Sequence, residues 1–61
     1  MTLIKWQSVK GKKWVGDNVL YEKWQEYGNS IICDGKMATD IVAGMKADGL
    51  RENVDFVIIE S

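Results

Sequence analysis

Residues 34–50 read DGKMATDIVAGMKADGL, and this stretch decides the fold class. Its apolar residues recur at intervals of three and four, the spacing of one face of an α-helix. They are Met37, Ala38, Ile41, Val42 and Met45. Asp34 suits the capping position at the start of such a helix, and Gly49 followed by Leu50 is typical of a Schellman end. The pattern predicts an amphipathic helix over residues 36–48.

The last strand is predicted over residues 54–60, and it is apolar on both of its sides. Phe56 and Ile58 point to one side. Val57 and Ile59 point to the other. A strand of this kind needs cover on both faces, and one helix covers only one of them. The second face therefore either lies inside a curled sheet or meets another molecule, and the latter interpretation predicts a homodimer or a strand exchange.

The chain upstream of the helix also has the alternation of β-strands. Residues 2–9 place Ile4 and Trp6 on one side and predict a first strand. Lys10-Gly11-Lys12 is a turn signal, and residues 13–16 predict a short second strand. The two together predict an N-terminal hairpin.

The segment that follows has two interpretations. As a hairpin, residues 19–27 and 30–34 flank Gly28-Asn29, a pair typical of a type II′ turn. As a helix, Leu20 and Trp24 share one face and Gly28 ends it. The β-branched and aromatic residues favour the hairpin. The choice also decides whether Trp24 belongs to the core.

These elements together predict an α+β fold for a single small domain over residues 1–61. An antiparallel β-meander carries one helix on its face, at residues 36–48, and the C-terminal strand at 54–60 returns to the sheet. A domain of 61 residues buries a small core, so its stability is expected to be modest.

Enzymatic chemistry is not expected, because the residue types that usually carry it are missing. The chain contains no histidine and one cysteine, which removes the common nucleophile–base pairs and a structural zinc site. Its glycines match no phosphate-binding loop. We therefore expect no catalytic residue, no metal ligand and no cofactor. Cys33 is predicted to be a small core residue.

One weak catalytic pattern remains. Asp17, followed by Asp34-Gly35-Lys36 after an apolar run, resembles the skeleton of the PD-(D/E)xK nucleases. The resemblance implies two carboxylates that hold Mg²⁺ and a lysine that polarises the attack. It covers three residues and lacks the proline of the first motif. We favour Asp34 as a helix cap.

Cysteine usage and hydropathy favour the cytoplasm. Cys33 is alone, whereas a secreted domain of this size usually contains several cysteines. The chain shows no signal-peptide pattern, and its longest apolar run, at residues 56–59, is far short of the ~20 residues that span a bilayer. We expect a cytoplasmic protein with no membrane partner.

Charge is divided along the chain, and this division gives one functional hypothesis. Residues 1–16 carry four lysines, two tryptophans and no acid, whereas residues 17–61 carry nine acids against four bases, a net of 4 − 9 = −5. A basic, aromatic hairpin suits nucleic-acid binding, because bases stack on aromatic side chains beside a basic track. The residues that would form it are Lys5, Lys10, Lys12, Lys13 and Trp14.

Binding to another protein is the preferred hypothesis. The outer helix face carries the small residues Ala43, Gly44 and Ala47. A glycine inside a helix suggests that either a neighbouring strand or a partner approaches closely. The last strand offers Val57 and Ile59. We expect a non-enzymatic module that inhibits or modulates a larger protein, of the kind found among phage and mobile-element accessory proteins. Nucleic-acid binding is the alternative.

Overall fold

The computed structural model describes residues 1–60. Over this range the chain is α+β, as predicted, with two helices and a four-stranded sheet. The strands are β1 (Thr2–Trp6), β2 (Glu26–Tyr27), β3 (Ser30–Cys33) and β4 (Phe56–Glu60). The helices are α1 (Val9–Asn18) and α2 (Gly35–Ala47), and a short 3₁₀ turn at Lys23–Gln25 precedes β2.

The sheet has the strand order β2-β3-β1-β4, and each neighbouring pair is antiparallel. Helix α1 connects β1 to β2, which have β3 between them, and α2 connects β3 to β4, which have β1 between them. This double split-βαβ arrangement is the ferredoxin-like topology. It replaces the predicted meander, because each helix carries the chain across a neighbouring strand.

Both helices pack on the same face of the sheet. Strands β1, β3 and β4 contribute Ile4, Trp6, Ile31, Cys33 and Phe56 to one buried cluster. The same cluster contains Val15 of α1, with Ala38, Ile41 and Met45 of α2 and Leu50 after it. The core is therefore a single layer between the sheet and the two helices.

The predicted N-terminal hairpin is wrong, because residues 9–18 form helix α1. Ser8 caps its start, since the Ser8 hydroxyl accepts a hydrogen bond from the Gly11 N–H at 2.9 Å. Gly11 is buried where the helix crosses the chain just before β4, and a Cβ atom there would overlap the carbonyl oxygen of Asp55. The glycine permits this close contact and does not make a turn.

The second hairpin is confirmed, but it is shorter than predicted. Strands β2 and β3 flank Gly28-Asn29, and Gly28 has φ +60°, as a type II′ turn requires at its first central residue. Residues 19–22 and the 3₁₀ turn lie outside the strand. Trp24, in that turn, is 71% exposed and does not belong to the core.

Helix α2 is confirmed with both of its predicted ends. The Asp34 carboxylate accepts a hydrogen bond from the Met37 N–H at 2.7 Å. At the other end Gly49 has φ +88°, the Leu50 N–H donates to the Met45 carbonyl at 2.9 Å, and the Gly49 N–H donates to the Lys46 carbonyl at 3.1 Å. These two bonds define a Schellman motif. Within residues 1–60, neither helix has the length and apolar content that crossing a bilayer demands.

Candidate protein interface

The face of the sheet opposite the helices has its own set of side chains. Directly opposed residues of antiparallel strands point to the same side of a sheet. Leu3 opposes Ile32 on β3 and Ile59 on β4. One pleat further along, Lys5 opposes Ser30 and Val57, and Ser30 opposes Tyr27. We call this set the open face: Leu3, Lys5, Tyr27, Ser30, Ile32, Val57 and Ile59.

The open face is apolar and only partly buried. Its aliphatic side chains lie outside the core cluster, and Ile59 is 39% exposed. Tyr27 is 71% exposed at the β2 end. A shallow depression of about 490 Å³ crosses the face between these two residues, with Leu3 and Lys5 in its lining. Over residues 1–60 the sheet does not curl enough to bury both of its faces. The side of β4 that carries Val57 and Ile59, which was predicted to require a covering surface, is therefore not covered by the described part of the chain.

Lys5 provides the charge of the open face. It lies on the central strand β1, between Ser30 of β3 and Val57 of β4, and its side chain is exposed. The other members of the open face are neutral. A surface that covers this face therefore has to offer apolar groups around a carboxylate or another acceptor for the Lys5 ammonium.

The predicted basic residues do not form one site. Lys5 lies on the open face, whereas Lys10, Lys12 and Lys13 lie on α1, on the other side of the sheet. Lys10 and Lys13 border a depression of about 210 Å³ that Asp17 also lines. Acidic groups therefore interrupt the basic track, and the predicted hairpin platform is not present in the fold.

Trp14 of α1 packs against α2. Its indole N–H donates to the Asp48 carboxylate at 2.7 Å. A Cβ atom added at Gly44 would lie 3.1 Å from two carbons of the Trp14 ring. The close neighbour that the sequence predicted at Gly44 is thus Trp14 of the same chain. Ala43 and Ala47 stay exposed on α2.

The acid-x-lysine pattern has structural roles. Asp34 caps α2, and Lys36 forms an exposed i,i+4 ion pair with Asp40 at 3.2 Å. Cys33 is buried, and its thiol lies 3.6 Å from the Thr2 carbonyl oxygen. Burial, with the nearby carboxylates of Asp34 and Glu60, raises the pKa of the Cys33 thiol. Residues 1–60 contain no group of three or more acidic, cysteine or histidine side chains placed to hold a metal ion.

Sequence reasoning missed part of this surface. Leu3, Ile32 and Tyr27 join Val57 and Ile59 only when the strand order is known. Trp24 is a further exposed aromatic residue, and it lines a depression of about 610 Å³ together with Ile32. The sequence signal that could have placed Leu3 beside Lys5 on one side of β1 is their alternation with Ile4, which is buried on the other side.

Comparisons of the chain with models of known protein families, with curated proteins and with solved structures find no match. The ferredoxin-like arrangement itself is shared by proteins of many functions, so it assigns none.

Proposed function

We propose that the protein is a small non-enzymatic module that binds another protein through the open face. The observation that supports this is an apolar sheet face that the rest of the described chain leaves uncovered. A contiguous apolar surface on a small domain is typical of an interaction site. Its centre is aliphatic and Tyr27 is exposed beside it, which matches the enrichment of apolar and aromatic residues at protein interfaces.

The charge on this face favours a partner of different sequence. If two copies stacked their open faces, the two Lys5 ammonium groups would be brought together on an apolar surface, which is unfavourable. A larger protein with an apolar patch and an exposed carboxylate avoids this cost. We therefore propose that the module modulates or inhibits such a protein by occupying its surface.

Nucleic-acid binding stays the alternative. The observation that favours it is the exposure of Lys12 and Lys13 on α1. Such binding would depend on phosphate contacts and would weaken steeply between about 50 and 200 mM salt. The open face and α1 lie on opposite sides of the sheet, so substitutions separate the two hypotheses.

A matched pair of charge reversals tests the proposal. Lys5→Glu and Lys12→Glu change the net charge equally, and both side chains are exposed, so neither is expected to unfold the domain. Each tagged variant and the wild-type protein are used to capture partners from cells that express the protein, with and without nuclease. Circular dichroism verifies the fold of each variant.

We expect one protein to be retained by the wild-type chain and by Lys12→Glu after nuclease treatment, and to be lost with Lys5→Glu. Tyr27→Ala should weaken the same capture without a charge change. Loss with Lys12→Glu together with sensitivity to nuclease would instead support the nucleic-acid alternative. Equal retention by all of the variants would contradict the open face as the binding surface.

A further inference from the structure

We propose that two copies of this chain associate by pairing their β4 strands antiparallel about a two-fold axis. This inference goes beyond the proposed function, because it uses the edge of the sheet and the groove beside α2. The occupant is a second copy of the chain, whereas the open face is assigned to a different protein.

The backbone of β4 offers unused hydrogen-bonding groups at its outer edge. Among residues 1–60, β4 has a sheet neighbour on one side only, which is β1. The Gln7 N–H donates to the Asp55 carbonyl at 2.8 Å, and antiparallel ladders alternate, so Val57 and Ile59 also bond toward β1. The N–H and C=O groups of Ile58 and Glu60 therefore point outward.

The first residue of β4 is excluded from this pairing. The Phe56 carbonyl already accepts a hydrogen bond from the Asn53 N–H at 2.7 Å, so the preceding turn covers that part of the edge. The free segment is Ile58–Glu60. It contains neither proline nor lysine, which are the residues that commonly protect an exposed edge strand.

A groove runs beside this edge, between β4 and α2. It has a volume of about 540 Å³, and Ile58 lies in its lining. Helix α2 contributes one stripe of residues at helical spacing: Thr39, Val42, Ala43 and Lys46. The exposed Ala43 of this stripe is small and leaves the groove wide. A neighbouring strand would place its own helix-side side chains beside Ile58 in this groove.

The charges that border the groove favour a second copy over an unrelated strand. Helix α2 begins at Gly35, near Glu60, because Thr2 opposes both Cys33 and Glu60 in the sheet. Lys46, near the other end of α2, therefore lies away from Glu60 along the groove. A two-fold partner reverses this order, so each Lys46 faces toward Glu60 of the other copy. A two-fold interface requires such self-complementarity.

The existing contacts of Lys46 and Glu60 leave both side chains able to pair with a second copy. Lys46 pairs with Glu52 at 3.5 Å, but both side chains are largely exposed, and an exposed ion pair contributes little. The Glu60 carboxylate accepts a hydrogen bond from the Thr2 hydroxyl at 3.0 Å, which holds it on the helix side of the strand. A carboxylate can accept further bonds.

The free groups also define the register of the pair. Ile58 of each copy would bond to Glu60 of the other. Ile59 would then oppose Ile59 of the second copy in a pair without hydrogen bonds, where Cα atoms lie about 4.5 Å apart. That separation falls within the range that a disulfide bridges.

Cysteine cross-linking therefore tests the proposal. Ile59→Cys is oxidised under mild conditions at micromolar concentration and compared with Val57→Cys. Val57 lies on the same strand and face, but in this register the Val57 residues of the two copies do not oppose each other. The wild-type chain provides the background for the buried Cys33. We expect a reducible covalent dimer from Ile59→Cys, and monomer from the other two. Equal cross-linking of both variants, or none, would overturn the register.

Sedimentation tests the charges without any cysteine. Lys46→Glu and Glu60→Lys should each weaken dimerisation about tenfold, and the double reversal should restore it, because opposite charges again meet across the two-fold axis. A wild-type chain that stays monomeric at millimolar concentration would overturn the proposal. Lys5 and Tyr27 are unchanged in all of these variants, so a monomer that still captures a partner through Lys5 leaves the proposed function intact.

Discussion

Two glycines of helix α1 should respond to the same substitution in opposite directions. In Gly11→Ala the new methyl group would overlap the Asp55 carbonyl oxygen and lie 3.3 Å from the Trp6 Cβ atom. In Gly16→Ala, one and a half turns further along, no other side chain or distant backbone of residues 1–60 lies within 4 Å of the new methyl group. The two variants differ in packing and share their intrinsic effect on the helix.

The magnitudes follow from these contacts. Alanine in place of glycine stabilises a helix interior by about 1 kcal/mol, and at Gly16 nothing opposes that gain. Overpacking at Gly11 costs about 1–3 kcal/mol or more, because Asp55 cannot withdraw freely. Its carbonyl oxygen accepts the Gln7 N–H at 2.8 Å, and its carboxylate accepts the Ser8 hydroxyl at 2.7 Å. Subtracting the helix gain of about 1 kcal/mol leaves a net loss of up to about 2 kcal/mol at Gly11.

Thermal unfolding followed by circular dichroism measures both effects. In a domain of this size, 1 kcal/mol corresponds to about 4–8 °C in Tm. We expect Gly16→Ala to raise Tm and Gly11→Ala to lower it. If both variants lowered Tm, the glycines would be acting as turn residues, and the helical account of residues 9–18 would be refuted.

Three further substitutions test other contacts. Gly44→Ala alone should change the unfolding free energy little, because the gain in helix propensity is offset by the tight Trp14 ring, whereas in a Trp14→Ala background it should stabilise by about 1 kcal/mol in urea titrations. Hydrogen bonds from the Arg51 N–H and the Ser8 hydroxyl lower the pKa of Asp55. The charged carboxylate therefore stabilises the fold at neutral pH, and this stabilisation is lost as pH falls through the lowered pKa. Asp55→Asn should be less stable at pH 7, and its free energy of unfolding should fall less than that of the wild-type chain as the pH is lowered. Trp24→Ala should cost less than about 0.5 kcal/mol by urea unfolding, since a larger loss would make Trp24 a core residue.

Helix α2 could be predicted from sequence because its information is local. The apolar stripe, the Asp34 cap and the Gly49-Leu50 end lie within the segment itself and agree with one another. Each of these features appears in the fold as expected. The two sides of β4 were predictable for the same reason.

Helix α1 was not predictable because tertiary contacts determine it. Lys10-Gly11-Lys12 has the composition of a turn, and Val9 is 85% exposed, so the segment lacks a strong apolar stripe. What holds the helix is the Ser8 cap and the close packing of Gly11 on the chain before β4. Those partners are distant in sequence.

The candidate interface was predicted in part. Val57 and Ile59 were expected to need cover, and the alternation within β4 was sufficient for that expectation. Their companions Leu3 and Ile32 lie on strands whose adjacency depends on the crossovers of both helices. A sequence pattern gives the side on which a residue lies within its own strand, but it does not give the order of the strands.

The central claim is that a partner protein binds the open face, and methyl NMR spectroscopy of the labelled domain tests it most directly. The protein captured by the wild-type chain is titrated into the domain, and shifts are followed for each assigned methyl group. We predict that Leu3, Ile32, Val57 and Ile59 shift on binding, while Val9 on α1 does not. Shifts confined to α1 and its surroundings, with the open-face methyl groups unchanged, would contradict the account.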